Sequence, residues 1–254
     1  MSKIISVVNQ KGGVGKTTSA VNLAACLGAA GKKILLVDID PQGNTTSGYG
    51  ISRKKLTATS YELLIGSCTA REAVIKTKFQ GVDIIPSNIN LAGAEFELAV
   101  MDKREALLKN ALATIQEEYD YVFFDCPPSL GLITLNALTA SDSFIVPIQC
   151  EYYALEGLSQ LMATVRTIKR LYNPYIEHEG VLLTMYDGRL NLTQQVVEEV
   201  KNFIPKKVYA TVIPRNVRLS EAPSFGEPVI YYDKASRGSE CYTALAEEFL
   251  KMQK

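Results

Sequence analysis

Short apolar runs alternate along the chain with longer stretches in which apolar residues recur every three or four positions. The runs cover residues 4–8, 34–37, 82–85, 121–124, 144–146, 181–183 and 208–212. Several are apolar at consecutive positions and rich in β-branched residues. A strand with one wet face would alternate, so these spans predict strands covered on both faces. The stretches 17–30, 103–119, 155–172, 193–203 and 236–252 predict helices. In the first, Ala20, Leu23, Ala24 and Leu27 share one stripe, and Gly31 ends it. Strand–helix–strand repetition predicts an α/β fold with a mostly parallel central sheet flanked by helices on both faces. No Pro/Gly/Ser-rich linker, low-complexity tract or internal repeat divides the 254 residues, so one domain over 1–254 is expected.

Charge narrows the choice of partner. Lys and Arg total 27, as do Asp and Glu, so the formal net charge is zero. A nucleic-acid partner would need its cations gathered on one face. The five cysteines are odd in number and form no CxxC pair, which argues against a disulfide framework or zinc knuckle and fits a reducing cytosol. The first apolar run ends at Asn9, too short for a signal peptide. No run reaches the roughly 18 residues needed to cross a bilayer. The only histidine, His178, falls in 175–179, a stretch expected to be a solvated loop.

The segment Gln10-Lys11-Gly12-Gly13-Val14-Gly15-Lys16-Thr17-Thr18 follows a predicted strand and opens a predicted helix. That is the context of a phosphate-binding loop. Glycines let the backbone curl and turn N–H groups inward, and the helix N-terminus adds a positive dipole end. Lys16 can reach the β- and γ-phosphates, and the Thr17 hydroxyl can ligate Mg²⁺. Position 10, where the usual GxxxxGK[ST] pattern begins, is Gln10, and an additional lysine, Lys11, follows. A second lysine is redundant for the loop's own nucleotide. One solution is that it points outward, to phosphates held by another subunit. Two further runs end in acids. Asp38 and Asp40 follow the run 34–37, where they either face the ligand crevice of an open sheet or cap the strand–loop junction. Asp125 closes the run 121–124 in a Walker B pattern and can hold Mg²⁺ through a water.

Lys11 to Thr18 resembles the deviant Walker A motif of the ParA/MinD family of P-loop ATPases. The stretches 151–157 and 212–224 resemble its chromosomal ParA branch, and the likeness covers essentially the whole chain. The resemblance implies an ATP-hydrolysing partition protein for chromosome or plasmid DNA, with ATP and Mg²⁺ as cofactors. Lys11 matches the signature lysine that crosses a face-to-face ATP-dependent homodimer, and Gly12 lies where the two loops meet. Asp40 matches the aspartate that orients the attacking water, and Cys126 is expected to be a small buried residue. The loop after 208–212 is implied to pack on adenine, with Pro214 over a ring face and Asn216 at its edge. The further partners implied are non-specific double-stranded DNA and a ParB-type centromere-binding protein that stimulates hydrolysis, in a cytoplasmic protein associated with the nucleoid. Arg189 and Arg218 match the family's DNA-contacting arginines, and Lys201, Lys234 and Lys251 are further candidates for a basic face that doubles on dimerisation. The chain begins at its first strand, so no separate N-terminal DNA-reading domain, and hence no operator reading, is expected.

Two rival readings share the fold. A MinD-like membrane ATPase needs a lipid-binding amphipathic C-terminal helix. In 244–254 the glutamates suit an anionic membrane badly, and Leu245, Ala246, Phe249 and Leu250 fit packing onto the sheet, so no membrane partner is expected. A metabolic or electron-transfer enzyme of the nitrogenase-reductase kind would need two cluster cysteines per subunit. Cys126 has no convincing second.

Overall fold

The computed structural model describes residues 2–151, 154–205 and 207–253. Tyr152 and Tyr153 of the stretch 151–157, and Lys254 of 244–254, lie outside the described residues. Among the described residues eight strands form one sheet: β1 Lys3–Val7, β2 Ile34–Asp38, β3 Ile75–Lys76, β4 Val82–Ile85, β5 Tyr121–Asp125, β6 Ser143–Gln149, β7 Glu177–Tyr186 and β8 Ile213–Pro214. Their order is β3-β4-β2-β5-β1-β6-β7-β8. Every pairing is parallel except that of the short edge strand β3 with β4.

The continuous apolar runs are explained by two cores, one on each side of the sheet. Val122 and Phe124 of β5 join a cluster with Leu138, Leu158 and Val200, whose helices are Leu132–Ala140, Ala154–Leu171 and Asn191–Phe203. Tyr121 and Phe123 of the same strand face the other side. There they meet Leu23 and Leu27 of the helix Lys16–Ala29, and Leu245 and Phe249 of the helix Arg237–Met252. Complete burial of a side chain such as Phe249 stabilises the fold by about 1.5–3 kcal/mol. The apolar stripe of the C-terminal helix is thereby taken up by the core. Among the described residues no helix is long and apolar enough to cross a membrane.

Three expectations are corrected. The span 175–179 is not a solvated loop: Glu177 opens β7, and His178 pairs with Phe144 of β6 and lies half-buried against its ring, 5.0 Å between centroids. The span 208–212 is not a continuous strand. Val208 makes one bridge to Val181, and the amides of Ala210 and Thr211 donate instead to the Glu248 carboxylate at 2.6 and 2.8 Å. The helix over 103–119 is broken. Lys103 adopts φ 51°, a regular helix runs only over Leu107–Leu112, and a single 3₁₀ turn follows at Gln116–Glu118. Asn136 occupies the backbone groups a longer helix would use, accepting from Leu108 N at 3.2 Å and donating to Arg104 O at 2.7 Å.

Candidate active site

Three strand ends set the site. In the sheet register Asp125 at the end of β5 lies beside Val7 of β1 on one side and Asp38 of β2 on the other. The phosphate loop leaves β1 at this level. Gly13 (φ 75°) and Gly15 (φ 86°) take left-handed conformations that favour glycine, and Gly15 opens the helix Lys16–Ala29 with no side-chain cap. The first amides of that helix are therefore left for an anion. Two neighbours hold the loop. Asn9 donates to Pro147 O at 2.8 Å and accepts from Lys11 N at 3.0 Å, and the Thr184 hydroxyl of β7 donates to Val14 O at 2.8 Å.

The two lysines have different surroundings. Lys16 is buried and donates from Nζ to Lys11 O at 3.0 Å. Burial pulls its pKa down, opposed chiefly by the Asp125 carboxylate. Lys11 is part-exposed, and its Nζ pairs with Glu151 Oε2 at 2.7 Å, while Gln149 donates to the other Glu151 oxygen.

The carboxylates form a graded set. Asp125 Oδ2 accepts from Thr17 at 2.8 Å and Thr45 at 2.7 Å, whereas its buried Oδ1 has no hydrogen-bond partner among the described residues. Burial pushes its pKa up to about 6 against the pull of both threonines. Asp38 Oδ2 accepts from Thr46 N (2.8 Å) and Oγ1 (2.6 Å), and Oδ1 from Asp40 N (3.2 Å). Burial, then repulsion from Asp125, raises Asp38 to about 8. Of the alternatives for this acid, the geometry is that of a cap holding the turn 40–46. Asp40 is 7% exposed and accepts from Gln42 N through Oδ1 at 2.9 Å. Among the described residues no group of three or more His, Cys, Asp or Glu could hold a metal alone. Thr17 as a direct ligand and the orphaned Asp125 oxygen through a water suit a Mg²⁺ whose other ligands would be phosphate oxygens and water. Cys126 is fully buried, and burial raises its thiol pKa far above the usual range.

A cavity of about 500 Å³ opens beside the loop. Gly15, Thr18, Met185, Pro214 and Asn216 are among the residues that line it. Asn216 caps the helix Val217–Glu221 by accepting Arg218 N at 2.9 Å. The suggested cations are spread out. Arg189, in the turn after β7, binds Asp187 through Nε and Nη2 at 2.9 and 2.7 Å. Arg218 pairs with Glu221 at 2.8 Å and Asp233 at 3.1 Å. Lys201, Lys234 and Lys251 are exposed, and Lys201 and Lys251 stand on helices of opposite layers. Thr45, Thr46, Asn9 and Thr184 were not foreseen as site residues. The pair Thr45-Thr46, five and six residues past Asp40, carried some signal, whereas Thr184 acts through a tertiary contact and Asn9 combines a local bond to Lys11 N with a tertiary one to Pro147 O.

A family model described as an AAA domain matches residues 2–178. The sporulation initiation inhibitor protein Soj of Bacillus subtilis is 57% identical over 248 residues, covering 98% of each chain. The chromosome partitioning protein ParA of Myxococcus xanthus is 52% identical, over 99% of this chain and 89% of its own. The chain belongs to the Soj/ParA family. Among solved structures, cobyrinic acid a,c-diamide synthase from Mycobacterium smegmatis with bound ADP and magnesium superposes with a TM-score of 0.87 at 37% identity, over 100% of this chain and 96% of its own. The Soj/ParA chain thus shares its architecture with a protein solved with nucleotide and magnesium in place.

Proposed function

We propose that this Soj/ParA-family protein is a Mg²⁺-dependent ATPase that partitions chromosome or plasmid DNA by cycling between states of different DNA affinity. The observation that carries the reading is the division of labour in one loop. Lys16 lies buried beside Asp125, while Lys11 stands outside that cluster on Glu151. The first suits the chain's own nucleotide, and the second is free to exchange Glu151 for the phosphates of a partner's nucleotide. Residues 11–18 would cradle the phosphates, Thr17 and Asp125 would hold Mg²⁺, and Pro214 and Asn216 would contact adenine in the 500 Å³ cavity. Bound Mg²⁺ neutralises charge on the phosphate oxygens. Asp40 retains Oδ2 to orient the water, since Oδ1 is taken by Gln42.

Two ATP-bound subunits would join face to face, and their cations, led by Arg189 and Arg218, would form one salt-sensitive DNA surface. A ParB-type partner would stimulate hydrolysis and so release the DNA. Binding to random-sequence duplex DNA tests this, with Mg-ATP, with Mg-ADP and across a salt series. Asp40→Ala is expected to hold the ATP state and bind DNA with steep salt dependence, and Arg218→Glu to abolish binding. An ATP dimer that binds no DNA would remove the partition role and turn attention to small-molecule substrates, the class suggested by the diamide synthase.

A further inference from the structure

We propose that Asn216 is a positioning residue that ties Arg218 to the nucleoside cavity, a role that presupposes the DNA partition proposed above. A single side chain makes both connections. Asn216 lines the cavity together with Gly15 and Thr18, and its Oδ1 accepts the backbone N–H of Arg218 at 2.9 Å. The helix it caps has only five residues, Val217–Glu221. So short a helix has little stability of its own and takes its position from its cap and its packing. The free end of the Asn216 side chain is its amide Nδ2, the atom that would donate to a ring nitrogen.

A second tie returns to the same cavity. Arg218 Nε is held by Asp233 at 3.1 Å, and Asp233 N donates to Val229 O at 2.9 Å. Val229 N donates to the buried Asn22 at 2.7 Å, and Asn22 donates to the carbonyl of Thr18 at 2.8 Å. Thr18 is itself a cavity wall. The backbone of Arg218 is therefore tied to Asn216, and its guanidinium, besides its pair with Glu221 at 2.8 Å, to a chain ending at Thr18. Both anchors border the space a nucleoside would fill. A base bonded to Asn216 would set the cap, and the cap would set the arginine. DNA affinity would then depend on the filled cavity as well as on the doubling of charge in the dimer, because the ligand stabilises one placement of the cation over others.

Affinity for random-sequence duplex DNA tests the assignment in the Asp40→Ala background. Mg-ATP is kept saturating, and the dimer fraction is matched by light scattering. Asn216→Ala is expected to weaken DNA binding about tenfold at equal dimer fraction, and to add less than about twofold when Arg218→Ala is already present. Its loss is expected to combine additively with that of Arg189→Ala, whose turn lies outside the network. Asn216→Ser keeps an acceptor for Arg218 N but is too short to reach a ring, so a loss of about threefold is expected. Undiminished affinity in Asn216→Ala, additive losses with Arg218→Ala, or full affinity in Asn216→Ser would each overturn the role. An Asp40→Ala dimer that binds no DNA at all would overturn the partition reading and this role with it.

Discussion

At the scale of single residues, the site depends on which oxygen of each acid is already engaged. Asp125 presents one oxygen to two threonines and leaves the other buried without a partner among the described residues. An orphaned buried acceptor costs about 1–3 kcal/mol, which a metal-bound water would offset. Thr45→Val removes one donor to Oδ2. Mg²⁺-dependent nucleotide binding is expected to weaken about tenfold, measured by titration with a fluorescent ATP analogue, because hydrogen bonds to charged groups contribute about 1.5–3 kcal/mol. Unchanged affinity would show that Thr17 suffices to orient the carboxylate. Asp40 is expected to act on turnover alone. Asp40→Ala should lower phosphate release by about 10²–10⁴-fold while ATP binding persists, if the residue has the proposed role of orienting water rather than nucleotide. The positions of Asp38, Asp40 and Asp125 at or just past strand ends were legible from the apolar runs they follow, whereas the water-orienting role expected of Asp40 came from the family resemblance alone. Thr17 was legible with them, from its place in the phosphate loop, whereas Thr45 and Thr46, which tune Asp125 and Asp38, were not, because they reach their partners across the turn 40–46.

Among the elements, the helix Lys16–Ala29 carries the site, and two glycines on either side of its start separate its structural and functional demands. A Cβ at Gly28 would meet Gln80 O at 2.3 Å and Val82 Cγ2 at 2.8 Å, so the helix lies flush against the segment leading into β4. Gly28→Ala must push backbone from backbone, and a loss of about 3 kcal/mol in urea unfolding is expected. A Cβ at Gly12 would meet nothing within 4 Å among the described residues. Gly12→Val should therefore leave the subunit's stability unchanged within about 0.5 kcal/mol. If Gly12 lies where two subunits meet, the same substitution should abolish the ATP-dependent dimer in light scattering. A normal dimer would count against the face-to-face arrangement. The helix itself was plain in the sequence, from its stripe and its glycine stop. Elements that depend on distant side chains were not. The span 208–212 reads as a strand by composition, yet Glu248, from the last helix, takes two of its amides. The helix over 103–119 gives way to Asn136 in the same manner. Edge strand β3 is two residues long, too short to leave a pattern.

Across the whole molecule, the buried titrating groups sit at opposite ends of the sheet and pull stability in opposite directions with pH. Asp38 and Asp125, at the C-terminal ends of their strands, are raised to about 8 and about 6 by burial. Each holds a proton in the folded subunit that the unfolded chain has released, so each lowers stability as pH rises from about 4 towards its folded value. His178, near the N-terminal end of β7, does the reverse. Burial, then the nearby Lys207 cation, lowers it to about 4, and neither ring nitrogen has a hydrogen-bond partner among the described residues. Between pH 4 and its ordinary value near 6.5 the unfolded chain binds the extra proton. The contribution of neutral His178 is therefore complete above about pH 6.5 and disappears as pH falls to about 4. The parent protein's curve mixes these slopes, but its difference from His178→Phe isolates one. The aromatic replacement can stay against Phe144, and the two aspartates cancel in the subtraction. The parent is expected to lose about 2–3 kcal/mol relative to the variant between pH 7 and pH 4, read from urea unfolding in nucleotide-free buffer. A flat difference would mean that the histidine gains a proton partner in the folded subunit.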